Sequence, residues 1–545
     1  MSPIYLVYPN FLTFMDKAEK SVGKLSGTVK SGYFTIRLTD PSVERGAYIK
    51  VKHEVYGWVL ARIEAMRRFL DDFDDEETMA EARTIGYRDG RNIYFPKTPF
   101  RPESEVFRAD TSLITSVLGL SQSSEGKGIY IGFLEGHSIP VFLDVEKTIG
   151  KHVSVLAKTG AGKSYTVAVI LEELLKANVA VVVIDPHGEY RTLGEENDEY
   201  DLMMKYGVKA HSYADVLTEY AVNTTINEGA KKIALPSTFD LMELAEIMPM
   251  KLGDRQQSIL YNVLKDLEGR QYTLEELIKS VGEEPNPSAW KVLSGLESLR
   301  DSGLFEGNPI DYKGLVQPGK ISLINLLGSD PQIQQIVVAK VVKDLFDLRR
   351  EGAIPPLFFL IEEAHNFCPE RGFGDVVSSS ILRTAAAEGR KFGFRLCIVS
   401  QRPARVDKNV LSQCNTQIIL KVTNPNDLRA ISQSIEGFTA GMENDIKQLA
   451  VGHALIVGES VEQPLIVDVR VRETRHKAGS AVKKPRPQET KPPLERLQRK
   501  PRRRRNPFWD WILRLFIREK KPQSKRKAVK QEKSGDKPAE DDVSP

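Results

Sequence analysis

Cysteine is scarce. The 545 residues hold three, Cys368, Cys397 and Cys414, without Cys-x-x-Cys spacing or histidine partners beside them. That excludes a disulfide framework and gives no support to a zinc knuckle, leaving three ordinary buried or semi-buried thiols. Long apolar runs are also missing: nothing approaches the roughly 18 consecutive apolar residues that a membrane span needs. The opening MSPIYLVYPNFLTFMDKAEK has no basic segment followed by a continuous apolar block, so the chain reads as cytoplasmic, with no stable membrane span. Compositional bias toward disorder is absent as well, since hydrophobic residues make up 41% and charged residues 28% of the chain. Most of the chain can bury enough apolar surface to offset its ordering entropy, and its length predicts several domains rather than one core.

The formal net charge of +3 conceals an asymmetry. From Arg475 to the end there are 23 Lys+Arg against 9 Asp+Glu, leaving 54 against 65 in the rest. An acidic body carrying a polybasic arm suits phosphates or acidic surfaces as partners.

Texture divides the chain. Over 1–110, runs such as GTVKSGYFTIRLTD and GAYIKVKHEVYGWVLARIEAM predict a small β-barrel or sandwich, with the acidic stretch at 71–77 as a solvated loop. From Gly128, short strands GIYIGFL and IPVFLDV precede HVSVLA, a Gly-rich turn, the helical KSYTVAVILEELLKA and the wholly apolar AVVVID. Strand, loop, helix and fully apolar strand predict an α/β core with a parallel-type sheet covered on both faces, its first part at 111–235. Three- and four-residue apolar spacing in TFDLMELAEIM, RQQSILYNVLKDL and TLEELIKSV predicts a helical insertion at 236–305. The strand and helix alternation resumes over 306–474, so the sheet draws on both sides of the insertion. At 475–545 Pro, Lys and Arg dominate and periodicity fades, which predicts a largely disordered basic tail.

The densest chemical signal is AKTGAGKS at 157–164, between an apolar strand and an amphipathic helix. A polyphosphate needs unblocked backbone N–H donors, a helix N-terminus and a cation, and this loop offers all three. Ala157, Lys158, Thr159, Gly160, Ala161, Gly162, Lys163, Ser164 and Tyr165 are the candidate ATP-binding residues. Gly160 and Gly162 allow close wrapping, Lys163 reaches the β and γ phosphates, and the Ser164 hydroxyl ligates Mg²⁺. Ala157 stands where the common pattern has Gly.

The second signal is PLFFLIEEAH, an apolar strand ending in two acids. Glu362 is the candidate on the metal side and Glu363 the candidate for orienting the attacking water. Asp185, closing VVVID, is a rival, but hydrolysis needs a metal-side and a water-side carboxylate and only Glu362–Glu363 gives two in tandem. Asp185 then belongs to an intervening strand. Gln401, closing LCIVSQ, is placed to sense the γ-phosphate. Arg390, with Arg383 in reserve, is the candidate arginine for a neighbouring subunit's γ-phosphate; the bland alternative for each is an ordinary cation near a helix end.

These motifs, with VVVIDPHGEY, EGRKFGF and SQRPARVDKNVLSQCNTQIILKV, closely resemble the HerA-type DNA-translocating ATPases over about 128–472. The resemblance implies a RecA-like P-loop core with an N-terminal small β-barrel of the ATP synthase type. It implies a homo-hexameric ring on double-stranded DNA, ATP and Mg²⁺ as cofactors, and work with a NurA-type nuclease in DNA end resection and double-strand break repair, linked to Mre11/Rad50-type machinery. It assigns Lys163, Ser164, Glu362, Glu363, Gln401 and Arg390 the roles above, and matches His187 and Glu189 without a firm role. The alternatives are a DNA pump for transfer or segregation and a nucleotide-gated scaffold of a defence or effector complex.

The basic tail departs from the family core. Its island FWDWILRLFI, in a short amphipathic helix at about 507–519, carries Trp509, Ile512, Leu513 and Phe516 at helical spacing. Such a helix docks on protein, lies peripherally on an anionic membrane surface or supports DNA binding, and Arg502 to Arg505 suit phosphate contacts.

Overall fold

The computed structural model describes residues 20–70, 76–120, 128–235, 244, 247–248, 252–267, 272–374 and 376–476. The basic tail with its helix at about 507–519, and most of TFDLMELAEIM, lie outside the described residues.

The first sheet comprises β1 (Gly23–Ser26), β2 (Tyr33–Leu38), β3 (Tyr48–His53), β4 (Gly57–Leu70), β5 (Glu76–Asp89), β6 (Asn92–Tyr94) and β7 (Glu105–Arg108). Its order is β2-β1-β7-β3-β4-β5-β6, and an additional β2–β5 pairing closes six strands into a barrel. Closure removes the free edges that an open sheet exposes. Inward-facing Leu25, Phe34, Ile36, Ile49, Val51, Ile63 and Val106 fill the interior. Glu76 and Glu77 are not in a loop: they begin β5 and pair with Leu70 and Phe69 in the long β4–β5 hairpin. Asp445, on the helix Ala440–Gln448, holds Arg45 at 2.6 Å and Arg62 at 2.9 Å, fixing the barrel against the second sheet.

The second sheet has twelve strands: β8 (Gly128–Leu134), β9 (Pro140–Asp144), β10 (His152–Leu156), β11 (Ala180–Asp185), β12 (Leu217–Ala221), β13 (Lys231–Lys232), β14 (Ile321–Asn325), β15 (Leu357–Ile361), β16 (Phe394–Ser400), β17 (Cys414–Ile419), β18 (His453–Gly458) and β19 (Leu465–Val469). The order is β13-β12-β14-β11-β15-β16-β10-β17-β18-β19-β8-β9. From β13 to β17 neighbouring strands pair in parallel, whereas β17–β18, β18–β19, β19–β8 and β8–β9 pair antiparallel. The sheet is therefore mixed rather than parallel throughout. The short links of the hairpins β8–β9 and β18–β19 cannot make the crossover that parallel pairing requires.

Continuous apolar runs form the parallel strands because both of their faces are covered. Along β11 and β15, Val182, Ile184, Leu357, Phe359 and Ile361 join the core on one face, while Val181, Val183, Phe358 and Leu360 join that on the other. The helices Asp254–Asp266, Leu274–Gly282 and Ala289–Asp301 lie in the sequence between β13 and β14 and pack into the first of these cores. Thr273 and Glu276 form a capping box at the start of Leu274–Gly282, which is why TLEELIKSV begins its helix there. No helix among the described residues is long and apolar enough to cross a membrane.

Asp185 does not lie on the intervening strand. β16 lies between β10 and β15, and β11 lies beyond β15. The order follows from the pairing of both faces of β15, with β11 on one edge and β16 on the other. Gln401, immediately after β16, is thereby set between the phosphate loop and the tandem acids.

Candidate active site

Parallel strands put their C-terminal ends on one side of a sheet, the side where ligands bind in α/β folds. The loop after β10 is anchored on both flanks, since Ala157 N donates to Ser400 O at 3.2 Å and Lys158 N to Lys421 O at 2.9 Å. Gly160 and Gly162 have φ of 76° and 101°, conformations open to glycine at little steric cost. Gly162 caps the helix Lys163–Lys176, turning the unpaired N–H groups of its first turn toward the loop.

Five sequence-predicted residues meet here. The Lys163 ammonium, nearly inaccessible, is ion-paired with Glu362 Oε1 and lies 3.0 Å from Glu363 Oε1. Gln401 Nε2 donates to Glu363 Oε1 at 2.7 Å, and Thr159 Oγ1 donates to Gln401 Oε1 at 2.5 Å. A single hydrogen-bonded chain thus joins the phosphate loop, the end of β16 and the end of β15. Glu363 has φ of 51°, a left-handed conformation rare for a side-chain-bearing residue. Such a backbone costs about 1–3 kcal/mol and persists only where its surroundings impose it.

The arrangement carries surplus negative charge. Lys163 is shared by Glu362 and Glu363, Asp185 and Glu189 lie near each other and Tyr190, and Glu363 Oε2 and Glu189 Oε2 are buried without a hydrogen-bond partner. Burial pushes Asp185 above the ordinary carboxylate range, against the N–H bonds from Tyr190, Glu189 and His187 that stabilise its charge. His365 Nδ1 lies 3.3 Å from Glu363 Oε2 and 3.2 Å from Ser400 Oγ. Burial holds His365 below its ordinary pKa; the Glu363 charge pulls it up, while Arg402, Lys163 and Arg405 push it down. Orphaned acceptors are what a bound cation would balance, and here they belong to Glu363 and Glu189, whereas both oxygens of Glu362 are already engaged, by Lys163 and Tyr190.

Tyr190 was not foreseen. It is fully buried, donates to Glu362 Oε2 and hydrogen-bonds Ser164, joining the two residues assigned to the metal. Its only sequence signal is its place at the end of DPHGEY, where Asp185 accepts from the N–H groups of His187 at 3.2 Å and Tyr190 at 3.0 Å and shapes the turn. His187 itself is exposed.

The two arginines part company. Arg383 donates to Asp407 at 2.7 Å and is held inside the subunit. Arg390 is exposed near the end of the helix Ser379–Phe392, with no side-chain hydrogen bond or ion pair among the described residues. It precedes the start of β16, whereas Gln401 follows its end, so the strand separates Arg390 from the phosphate loop by roughly 20 Å. Tyr165 turns its hydroxyl toward the C-terminal segment, accepting from Arg472 N at 3.0 Å.

The family model for the central domain of helicase HerA matches residues 129–345. A probable DNA double-strand break repair helicase HerA from Methanocaldococcus jannaschii is 27% identical over 443 residues, covering 73% of this chain and 86% of the relative. The DNA double-strand break repair helicase HerA of Pyrococcus furiosus is 27% identical over 474 residues, covering 75% and 80%. Among solved structures, VirB4 of Thermoanaerobacter pseudethanolicus is similar with a TM-score of 0.47 and 17% identity, covering 64% of this chain and 98% of that one.

Proposed function

We propose that the chain is a HerA-type P-loop ATPase that couples ATP hydrolysis to translocation along double-stranded DNA, as a ring working with a NurA-type nuclease in break repair. The observation that carries the reading is the hydrogen-bonded chain from Thr159 through Gln401 and Glu363 to Lys163, which joins the lysine of the phosphate loop to the carboxylate that would orient the water.

Lys163 exchanges its carboxylate partners for the β and γ phosphates when ATP enters, and the N–H groups at the start of its helix grip the same oxygens. That exchange frees Glu363 Oε1 to accept a hydrogen bond from the attacking water, orienting it toward the γ-phosphorus. Gln401, bonded to both the loop and Glu363, follows the presence of the γ-phosphate and resets Glu363 after it leaves. Tyr190 keeps Glu362 and Ser164 in place. Ser164 and Glu362 would hold Mg²⁺, which when bound would supply positive charge against the negative charge of the phosphate oxygens. Arg390, exposed and far from its own phosphate loop, serves the nucleotide of a neighbouring copy.

The test is ATP turnover with and without duplex DNA, alongside displacement of a triplex-forming strand. The wild-type chain is expected to show duplex-stimulated turnover and ATP-dependent displacement, and Lys163→Ala neither. Turnover indifferent to duplex, with no displacement, would favour a nucleotide-gated scaffold instead.

A further inference from the structure

The helices Pro331–Arg350 and Ser379–Phe392 lead into β15 and β16 at the end of the sheet opposite the phosphate loop. Two arginines meet there. Arg349 lies in the last turn of the first helix, and Arg395 is the second residue of β16. A Cβ on Gly393 would stand 2.9 Å from Arg395 Nη1 and 3.2 Å from Arg349 Nε and Nη2, so both guanidiniums flank the space that this glycine leaves open. Gly393 ends the second helix at φ 80°, and its carbonyl accepts from Leu357 N at 3.1 Å, which ties the start of β15 to it.

The pair carries two positive charges without a counter-charge. Arg349 Nη1 donates to Ile354 O at 2.8 Å, but Arg349 Nε and both Nε and Nη1 of Arg395 are buried with no hydrogen-bond partner. Neither guanidinium forms an ion pair among the described residues. Asp347, two residues before Arg349, is turned instead to Arg350 at 3.6 Å and Lys343 at 3.9 Å. Burial holds Arg395 below its ordinary pKa, and the Arg349 charge pushes the same way. The positive field also reaches His152: burial brings it down to about 4, its bond to Ala386 O at 2.9 Å pulls upward, and the charges of Arg395 and Arg390 push down.

A helix C-terminus attracts cations, and the Ile354 carbonyl accounts for Arg349 in part. It leaves the three bare N–H groups unexplained. Buried polar groups in folded chains are almost always bonded, and a charged one left bare costs more than a neutral one. An oxyanion between the two side chains removes both the missing bonds and the repulsion. Charge selects its class, because two guanidiniums balance a dianion, and their planar forks of N–H donors suit the oxygens of a phosphoryl group. Neither Nη2 is sealed off or hydrogen-bonded among the described residues, which leaves those oxygens a way in.

We propose that Arg349 and Arg395 form a binding site for a phosphoryl dianion, free phosphate or the phosphate of a monoester, separate from the phosphate loop. The length of β16 puts roughly 20 Å between Arg395 and Gln401, so one anion cannot occupy both places. Arg390, exposed at the same end, adds to the positive potential that draws the anion in. The site stands whatever reaction the phosphate loop performs.

The experiment uses the full chain with its phosphate loop filled by a non-hydrolysable ATP analogue, and titrates inorganic phosphate, phosphoserine and acetate at constant ionic strength by calorimetry. The parent is expected to bind phosphate, with acetate about tenfold weaker or more. Phosphoserine bound as well as phosphate marks a monoester site, and phosphate bound alone marks a site for the free ion; either supports the proposal. Arg349→Met/Arg395→Met is expected to lose about tenfold or more in phosphate affinity, while its thermal midpoint without phosphate matches or exceeds the parent's, since the repulsion and the bare N–H groups are gone. No phosphate binding by the parent, or parental affinity in the double variant, overturns the site. Acetate as tight as phosphate overturns the match to a dianion. Arg395→Gln alone is read the same way should the double variant not fold, and parental affinity there also overturns the site.

Discussion

One helix, Lys163–Lys176, carries a buried charge cluster at each end, and the two are built on opposite terms. At its start, Lys163 is shared between Glu362 and Glu363, two nearby carboxylate oxygens have no hydrogen bond, and Glu363 sits in a strained backbone. At its other end, Glu172 and Glu173 receive Arg470 at 3.0 and 2.9 Å, while Arg470 Nε donates to Tyr130 O at 3.0 Å. Glu172 also accepts from the N–H groups of Glu473 and Thr474, and Glu173 from that of Tyr130. There, every guanidinium nitrogen of Arg470 has a partner. A satisfied cluster holds a structure in one state, whereas an unsatisfied one leaves room for a ligand and for motion. The finished end straps the segment after β19 onto the back of the helix; the unfinished end is the candidate nucleotide site.

The comparison breaks most visibly on stability. Arg470→Ala leaves Glu172 and Glu173 buried without their cation and is expected to cost about 3–5 kcal/mol, read as a large drop in the thermal midpoint. Glu363→Gln removes a carboxylate from the crowded end and relieves like-charge repulsion, so its midpoint is expected to match or exceed the parent's. Equal losses in both variants would erase the distinction between the two ends.

A smaller effect sharpens the same contrast between sealed and open chemistry. Cys368, Cys397 and Cys414 are all buried, and burial pushes the Cys368 thiol up to about 12. With the thiolate so disfavoured, alkylation of the native chain at pH 8 is expected to be slow at all three, and rapid after denaturation. Mass spectrometry of iodoacetamide-treated protein checks this.

Much of the candidate site's geometry is legible in the sequence because its residues follow local rules. A Gly-rich turn between an apolar strand and a helix needs no tertiary information, nor do paired acids at the end of an apolar strand. Gln401 was readable for the same reason. The strand order is not: which strand lies between β10 and β15 depends on long-range pairing, so the place of Asp185 beyond β15 cannot be read from its own segment. Tyr190 and His365 gain their contacts only when β11, β15 and β16 are set side by side. The buried Arg470 and Arg472 were the hardest to foresee, because VRVRETRH reads as the approach to a basic tail, and only folding supplies Glu172 and Glu173 opposite. Likewise, the antiparallel strands β18, β19, β8 and β9 looked like continuations of the parallel sheet, since apolar strands do not announce their direction.

The most direct measurement is a comparison of ATP binding and ATP turnover in Glu363→Gln. With Lys163 and the loop intact, this variant is expected to bind ATP with the parental affinity while kcat falls about 10²–10⁴-fold, the contribution of a positioned general base. Turnover at the parental rate would contradict the assignment of Glu363, and with it the reading of the hydrogen-bonded chain from Thr159 to Lys163 as the hydrolytic centre.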